Sequence, residues 1–139
     1  MIYRHCMDLQ ASAQMTYNNM CIYYAQFAPD WDSDKIHQQI VSLDNWDIID
    51  GEEVVGAIRL EFDEHTCFLR DLQVNSTKQN KGIGAEAIKF VIELALQNHC
   101  ETLVLKVFKV SPAGRLYRRL GFKVTEEDER FYFMSLNIA

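Results

Sequence analysis

Gly82 and Gly84 stand two apart at the start of an amphipathic stretch, behind the polar run Asn75-Ser76-Thr77-Lys78-Gln79-Asn80-Lys81. Free backbone N–H groups at a helix start, together with the helix dipole, make such a turn suited to an anion. Lys78 and Lys81 add positive charge there, in a chain whose net charge is −6. A second reading takes the glycines as packing devices that let the helix begin and approach a strand closely. A third takes Gly82-Ile83-Gly84-Ala85-Glu86-Ala87 as a G-x-G-x-x-G/A dinucleotide fingerprint. Against it, seven residues part the preceding strand from the first glycine, no acidic residue closes the next strand, and 55 residues are too few for the rest of a doubly wound sheet. NAD is not expected to bind.

Cys6, Cys21, Cys67 and Cys100 show no CxxC spacing, and His5, His37, His65 and His99 are as scattered, so reduced thiols and no metal are expected. Fourteen basic against twenty acidic residues repel a nucleic acid backbone and mildly favour cationic ligands. Apolar runs such as Val54–Ile58 are far short of a membrane span, and the first ten residues hold no apolar signal core, so no membrane partner and a cytoplasmic protein are expected.

The elements that must carry these residues follow from patterning. At 139 residues, 48% hydrophobic and 24% charged, the chain is expected to form one domain over 1–139. Helical spacing predicts helices over Asp8–Gln26 and Asp34–Leu43. Short β-rich runs follow at "WDIID", "VVGAIRLEF" and "CFLRDLQV", as in a meander. In the glycine-led helix, Gly84, Ala87, Ile88, Val91 and Ala95 share one face. "TLVLKVF" reads as a buried strand, and "SPAGRLYRRL" as a short helix with Ser111 as N-cap, Pro112 at its first position and Gly121 as its stop. "FKV" and "RFYFMSLNI" read as final strands around an acidic turn, "TEEDE". With a short first strand within residues 1–6, the order is β-α-α-β-β-β-α-β-α-β-β.

Gln79-Asn80-Lys81-Gly82-Ile83-Gly84 resembles the Q/R-x-x-G-x-G/A pyrophosphate loop of the GNAT acetyltransferase superfamily, "LRDLQV" resembles that family's fourth strand, and "GRLYRRLGFKV" resembles its helix-to-strand segment. The resemblance implies an α/β (α+β) fold: a central mixed, mostly antiparallel sheet, splayed between its fourth and fifth strands and flanked by helices. It also implies an acetyl-CoA-dependent N-acetyltransferase without a metal. Gln79, Asn80, Lys81, Gly82, Ile83, Gly84 and Ala85 would hold the coenzyme pyrophosphate. The main chain of Leu72, Gln73 and Val74 would take pantetheine and the acetyl group, one strand amide polarising the thioester oxygen. Tyr117 would protonate the departing thiolate, its alternative being a core aromatic. Arg115, Arg118 and Arg119 read as solvated charges, the alternative being that one of them reaches a coenzyme phosphate.

The sequence departs from the pattern at two places. Arg70 stands where many relatives have glutamate, and its guanidinium is no base at neutral pH. Asp71 is the nearest carboxylate, but alternation along the strand turns it away from the face of Arg70 and Leu72, so a structural role stands beside a catalytic one. Val110 replaces an asparagine that contacts the coenzyme in relatives. The acceptor, a small-molecule or protein amine, would be bounded by the segment between the first two helices and by the last hairpin. There Asp30, Asp32 and Asp34 and Glu126, Glu127, Asp128 and Glu129 read either as solvated loop charges or as partners of a cationic amine, and Tyr23, Tyr24, Phe27 and Trp31 either as core packing of the first helix or as an aromatic wall. A catalytically weak coenzyme A-binding sensor is the rival reading. Pairing of final strands into a homodimer is compatible with the sequence.

Overall fold

The computed structural model describes residues 1–139. Its elements are β1 (Ile2–His5), α1 (Leu9–Phe27), α2 (Ser33–Ile40), β2 (Asp44–Asp50), β3 (Glu53–Asp63), β4 (Thr66–Val74), a 3-10 turn (Ser76–Lys78), α3 (Ile83–Gln97), β5 (Thr102–Phe108), α4 (Ala113–Arg119), β6 (Lys123–Glu127) and β7 (Phe131–Asn137). This is the order expected from patterning. The fold is α/β, with a seven-stranded mixed sheet in the order β1-β2-β3-β4-β5-β7-β6. The β4–β5 pair is parallel, whereas β1–β2, β2–β3, β5–β7 and β6–β7 are antiparallel. No helix is long and apolar enough to cross a membrane. The chain divides into two compact units, Met1–Leu60 with Asp71–Gly84, and Glu61–Arg70 with Ala85–Ala139.

In the first unit, Asp8 caps α1 by accepting from the Ala11 N–H (3.0 Å), and Asp32 caps α2 by accepting from the Lys35 N–H (2.9 Å). Ala13, Ile36 and Ile40 make a small apolar cluster, flanked by Leu9, Tyr17, Tyr24, Trp31 and Leu43. The second helix ends at Ile40 rather than continuing to Leu43. The Asn45 side chain donates to the Ile40 and Leu43 carbonyls (2.7 and 2.9 Å), partnering end-of-helix acceptors that another turn would have used. Gly51, at φ +66°, makes the tight turn that sets Asp50 opposite Glu53.

In the second unit, Ala87, Ile88, Val91 and Ala95 of α3 are buried, as are Leu103, Leu105 and Val107 of β5 and Met134 of β7. Leu103 and Leu105 are the same-face residues of a strand that pairs on both edges. Pro112, at helical φ −67° and ψ −15°, occupies the cap position of α4, one residue later than expected. Ser111 still serves the helix start, its Oγ accepting from the Ala113 N–H (3.2 Å). The final hairpin also departs from expectation. Glu126 and Glu127 belong to β6, opposite Phe133 and Tyr132, so the turn shrinks to Asp128–Arg130. The Asp128 carboxylate closes it by accepting from the Arg130 and Phe131 N–H groups (2.8 and 2.7 Å).

Those two bonds hold the Asp128 carboxyl below its ordinary pKa, the Phe131 N–H contributing most. A depressed folded-state pKa stabilises above the unfolded value, and that contribution disappears as pH falls through the folded one. The stability advantage of the protein over its Asp128→Asn variant is therefore expected to shrink below about pH 4 in denaturation curves taken across pH. A pH-independent difference would contradict it.

Gly56 of β3 is required for packing. A Cβ there would collide with the Gln73 carbonyl oxygen and press on Ile48 Cδ1. Because one of these contacts is backbone, Gly56→Ala is expected to cost about 1–3 kcal/mol, read as a fall in Tm. An unchanged Tm would show that β3 and β4 separate freely.

Candidate active site

Within the first unit, β4 runs into a turn held by two left-handed residues, Asn80 (φ +62°) and Gly82 (φ +82°). A Cβ at Gly82 would meet no protein atom, so what calls for glycine there is the left-handed backbone alone. Ile83 is buried and anchors the start of α3, while Lys81 and Gly82 are exposed. Gly84 and Ala85 complete the first helical turn, where backbone donors lack intrahelical partners. Lys78 lies 3.9 Å from Glu53, at the outer limit of an ion pair.

The approach to this turn is set by main-chain alternation in β4. The Asn75 N–H donates to the Val55 carbonyl (2.7 Å), and the Gln73 carbonyl lies against Gly56, so the main-chain groups of Gln73 face β3. Leu72 and Val74 turn theirs the other way. The parallel register with β5 runs from Thr66↔Thr102 to Leu69↔Leu105, and β4 continues past it to Val74.

A buried polar network underlies this strand. Arg59, fully buried in β3, donates through Nη1 to Asp71 Oδ2 (2.6 Å) and Thr16 Oγ1 (2.8 Å), through Nη2 to Ser12 Oγ (2.6 Å), and through Nε to Asn45 Oδ1 (3.1 Å). The other Asp71 oxygen accepts from Gln73 Nε2 (2.6 Å). Both oxygens of Asp71 are thus engaged, and the side chain faces away from Arg70, as strand alternation requires. Arg70 is exposed, paired with Glu61 (2.7 Å) and lying over the Phe68 ring. Burial pushes the Tyr24 phenol well above its ordinary pKa, the Asp71 charge adds to this and Arg59 opposes it.

In the second unit, Tyr117 is placed by the end of α4. Gly121 is left-handed at φ +99°, the Phe122 N–H donates to the Tyr117 carbonyl (3.0 Å) and the Gly121 N–H to the Arg118 carbonyl (3.1 Å). This is a Schellman ending, and its apolar contact is the Tyr117 ring against Phe122, centroids 5.6 Å apart. Tyr117 is buried. Arg118 and Lys109 both approach the Tyr132 ring, and Lys109 Nζ also pairs with Glu127 (2.9 Å). Val110 is exposed.

Several acidic residues expected beside an acceptor have structural partners. Asp32 caps α2, Glu127 pairs with Lys109, and Asp128 closes the last turn. In the aromatic set, Tyr24 stacks on Trp31. No group of three His, Cys, Asp or Glu side chains could hold a metal ion. Sequence reasoning missed Ser12, Thr16, Asn19, Asn45 and Arg59. Their signal was present, as polar residues at helical spacing on α1 and an arginine inside the apolar run of β3.

A family model for the acetyltransferase (GNAT) family matches residues 12–122. The chain belongs to that family. N-alpha-acetyltransferase 30 from Xenopus laevis is 33% identical over an 88-residue alignment that covers 59% of this chain but 32% of that protein, so the match spans about a third of the curated relative's length. Two solved structures share the fold. A putative GNAT-family acetyltransferase from Desulfovibrio desulfuricans superposes with a TM-score of 0.78 at 14% identity, over 99% of both chains. A GNAT-family acetyltransferase from Elizabethkingia anophelis, solved with acetyl-CoA bound, gives 0.68 at 21% identity over 78% of this chain and 84% of that one.

Removing one partner of a buried ion pair strands the other charge. Asp71→Asn is expected to destabilise this GNAT protein by roughly 3 kcal/mol, the low end for such pairs because Asp71 keeps 22% side-chain exposure. Arg70→Ala, at an exposed pair, is expected to change stability by less than about 1 kcal/mol. Urea denaturation of both variants checks the ranking, and equal losses would contradict it.

Proposed function

We propose that residues 1–139 act as one acetyl-CoA-dependent N-acetyltransferase domain, transferring the acetyl group to a primary amine of a small molecule or protein. The observation carrying this is β4 continuing beyond its register with β5 into a left-handed, glycine-containing turn at the start of α3, in a chain of the GNAT family. The donor groups suit the coenzyme. Backbone N–H groups of Asn80, Lys81, Gly82, Ile83, Gly84 and Ala85 would bind the pyrophosphate, and Gln79 would brace the turn. On β4 the main-chain groups of Leu72 and the Val74 N–H would take pantetheine and the acetyl carbonyl, while the main-chain groups of Gln73 are turned toward β3.

The amine nitrogen attacks the thioester carbonyl carbon, a C–N bond forms and the C–S bond breaks. The surplus amine proton passes to solvent, and the thiolate leaves with a proton from Tyr117, which water then restores. Asp71 enters as an anchor of β4, because both of its oxygens already accept hydrogen bonds. The likeness to N-alpha-acetyltransferase 30 supports beginning an acceptor panel with peptide N-terminal amines.

Two variants test this reading. Gly82→Val forces a β-branched residue into a left-handed conformation and adds bulk where phosphates would approach. It is expected to weaken acetyl-CoA binding in calorimetry, with Lys81→Ala costing less; unchanged affinity would remove the turn from the site. Tyr117→Phe keeps the ring and its contact with Phe122. Losing a positioned acid is expected to lower kcat by roughly 10²–10⁴-fold while acetyl-CoA affinity and Tm hold. Near-normal turnover would leave Tyr117 as a packing residue. Absence of turnover by the unaltered protein across the amine panel, with coenzyme still bound, would favour the sensor reading.

A further inference from the structure

One polar side chain of α1 reaches the junction between β4 and the glycine turn. Asn19 Nδ2 donates to the Val74 carbonyl (2.9 Å) and to Gln73 Oε1 (3.2 Å). The same Val74 carbonyl accepts from Gln79 Nε2 (3.0 Å), which comes back from the turn itself. Two side-chain amides, one from a helix and one from the turn, therefore converge on a single main-chain oxygen at the last residue of β4.

The amide of Gln73 is itself oriented. Its Nε2 donates to Asp71, whose other oxygen is held by the buried Arg59, leaving Oε1 to face Asn19. Arg59 is fixed in turn by Ser12 and Thr16, about two turns and one turn respectively before Asn19 on the same face of α1. Asn45 ties the guanidinium to the end of α2. A continuous hydrogen-bonded relay thus runs from the α2–β2 connection to the turn. Charge-assisted bonds at its centre are short, and its members orient one another.

We infer that Asn19 is a positioning residue for the coenzyme: with Gln79 it fixes the Val74 carbonyl, and so the direction in which β4 hands the chain to the pyrophosphate turn. The inference rests on the acetyl-CoA reading above. Its consequence is that Asn19, which is assigned no contact with the coenzyme, sets coenzyme affinity. Transfer once both substrates are bound does not depend on it. Val74 O, engaged twice, is not the carbonyl left to accept from pantetheine, which puts that contact on Leu72.

The test is acetyl-CoA calorimetry and steady-state kinetics on the full chain, with Tm recorded for every variant. Asn19→Ala removes both donors, and losing neutral hydrogen bonds is expected to raise the acetyl-CoA Kd and KM by about 3–10-fold. Saturated kcat and the acceptor KM should stay within about twofold. Asn19→Asp keeps the shape but turns an acceptor toward Val74 O and Gln73 Oε1, and should weaken coenzyme binding further. Adding Gln79→Ala to Asn19→Ala should cost more than the product of the single changes, because the carbonyl then loses its last donor. A loss of Tm with unchanged Kd, or a fall in kcat at unaltered Kd, would make Asn19 a structural or a different kind of residue and overturn the inference alone. Failure of the unaltered protein to bind acetyl-CoA would overturn the coenzyme reading and this inference with it.

Discussion

The Arg59–Asp71 pair is the interaction on which the first unit is organised. A guanidinium without solvent contact needs an anion and partners for its N–H groups, and here one carboxylate, two hydroxyls and one amide oxygen supply them. They come from three places in the chain: both hydroxyls from α1, the amide oxygen from β2 and the carboxylate from β4. Satisfying one charge therefore fixes how three elements meet β3. The apolar cluster of Ala13, Ile36 and Ile40, with Leu9, Tyr17 and Tyr24 beside it, seats one part of α1, and the polar stripe of Ser12 and Thr16 fixes it to Arg59.

That arrangement explains the low amphipathic contrast of α1, whose buried positions include Ser12 and Thr16. It also gives Asp71 a task that is not proton transfer. A strand whose end must present main-chain groups benefits from an anchor pulling its side chains the other way. Gly56 supports this from β3, since only a residue without Cβ lets the Gln73 carbonyl lie where it does.

In the second unit the comparable device is the helix ending at Gly121. The left-handed glycine lets Phe122 fold back on Tyr117, so the tyrosine's position is set by backbone closure as well as by packing. This is why a catalytic aromatic and a core aromatic are hard to tell apart by burial: the same contact serves both descriptions, and only a phenol-to-phenyl exchange separates them.

Element order, the buried face of α3, the stop at Gly121 and the glycine turn were legible in the sequence, because periodicity, capping and left-handed backbone are local properties. Family membership was legible for the same reason, through short motifs in a set order. Element ends were less so. The early end of α2 depends on Asn45 reaching back from β2, and the length of β6 depends on pairing with β7. What tertiary structure alone decided was the partnership of Arg59 with Asp71, Ser12, Thr16 and Asn45, residues up to 47 positions apart, and the meeting of Asn19 with Val74, 55 positions away. A buried charge announces in sequence that it needs a counter-ion, but which carboxylate answers is settled only when strands and helices are packed, because hydrogen bonding is decided over a few ångströms and not along the chain.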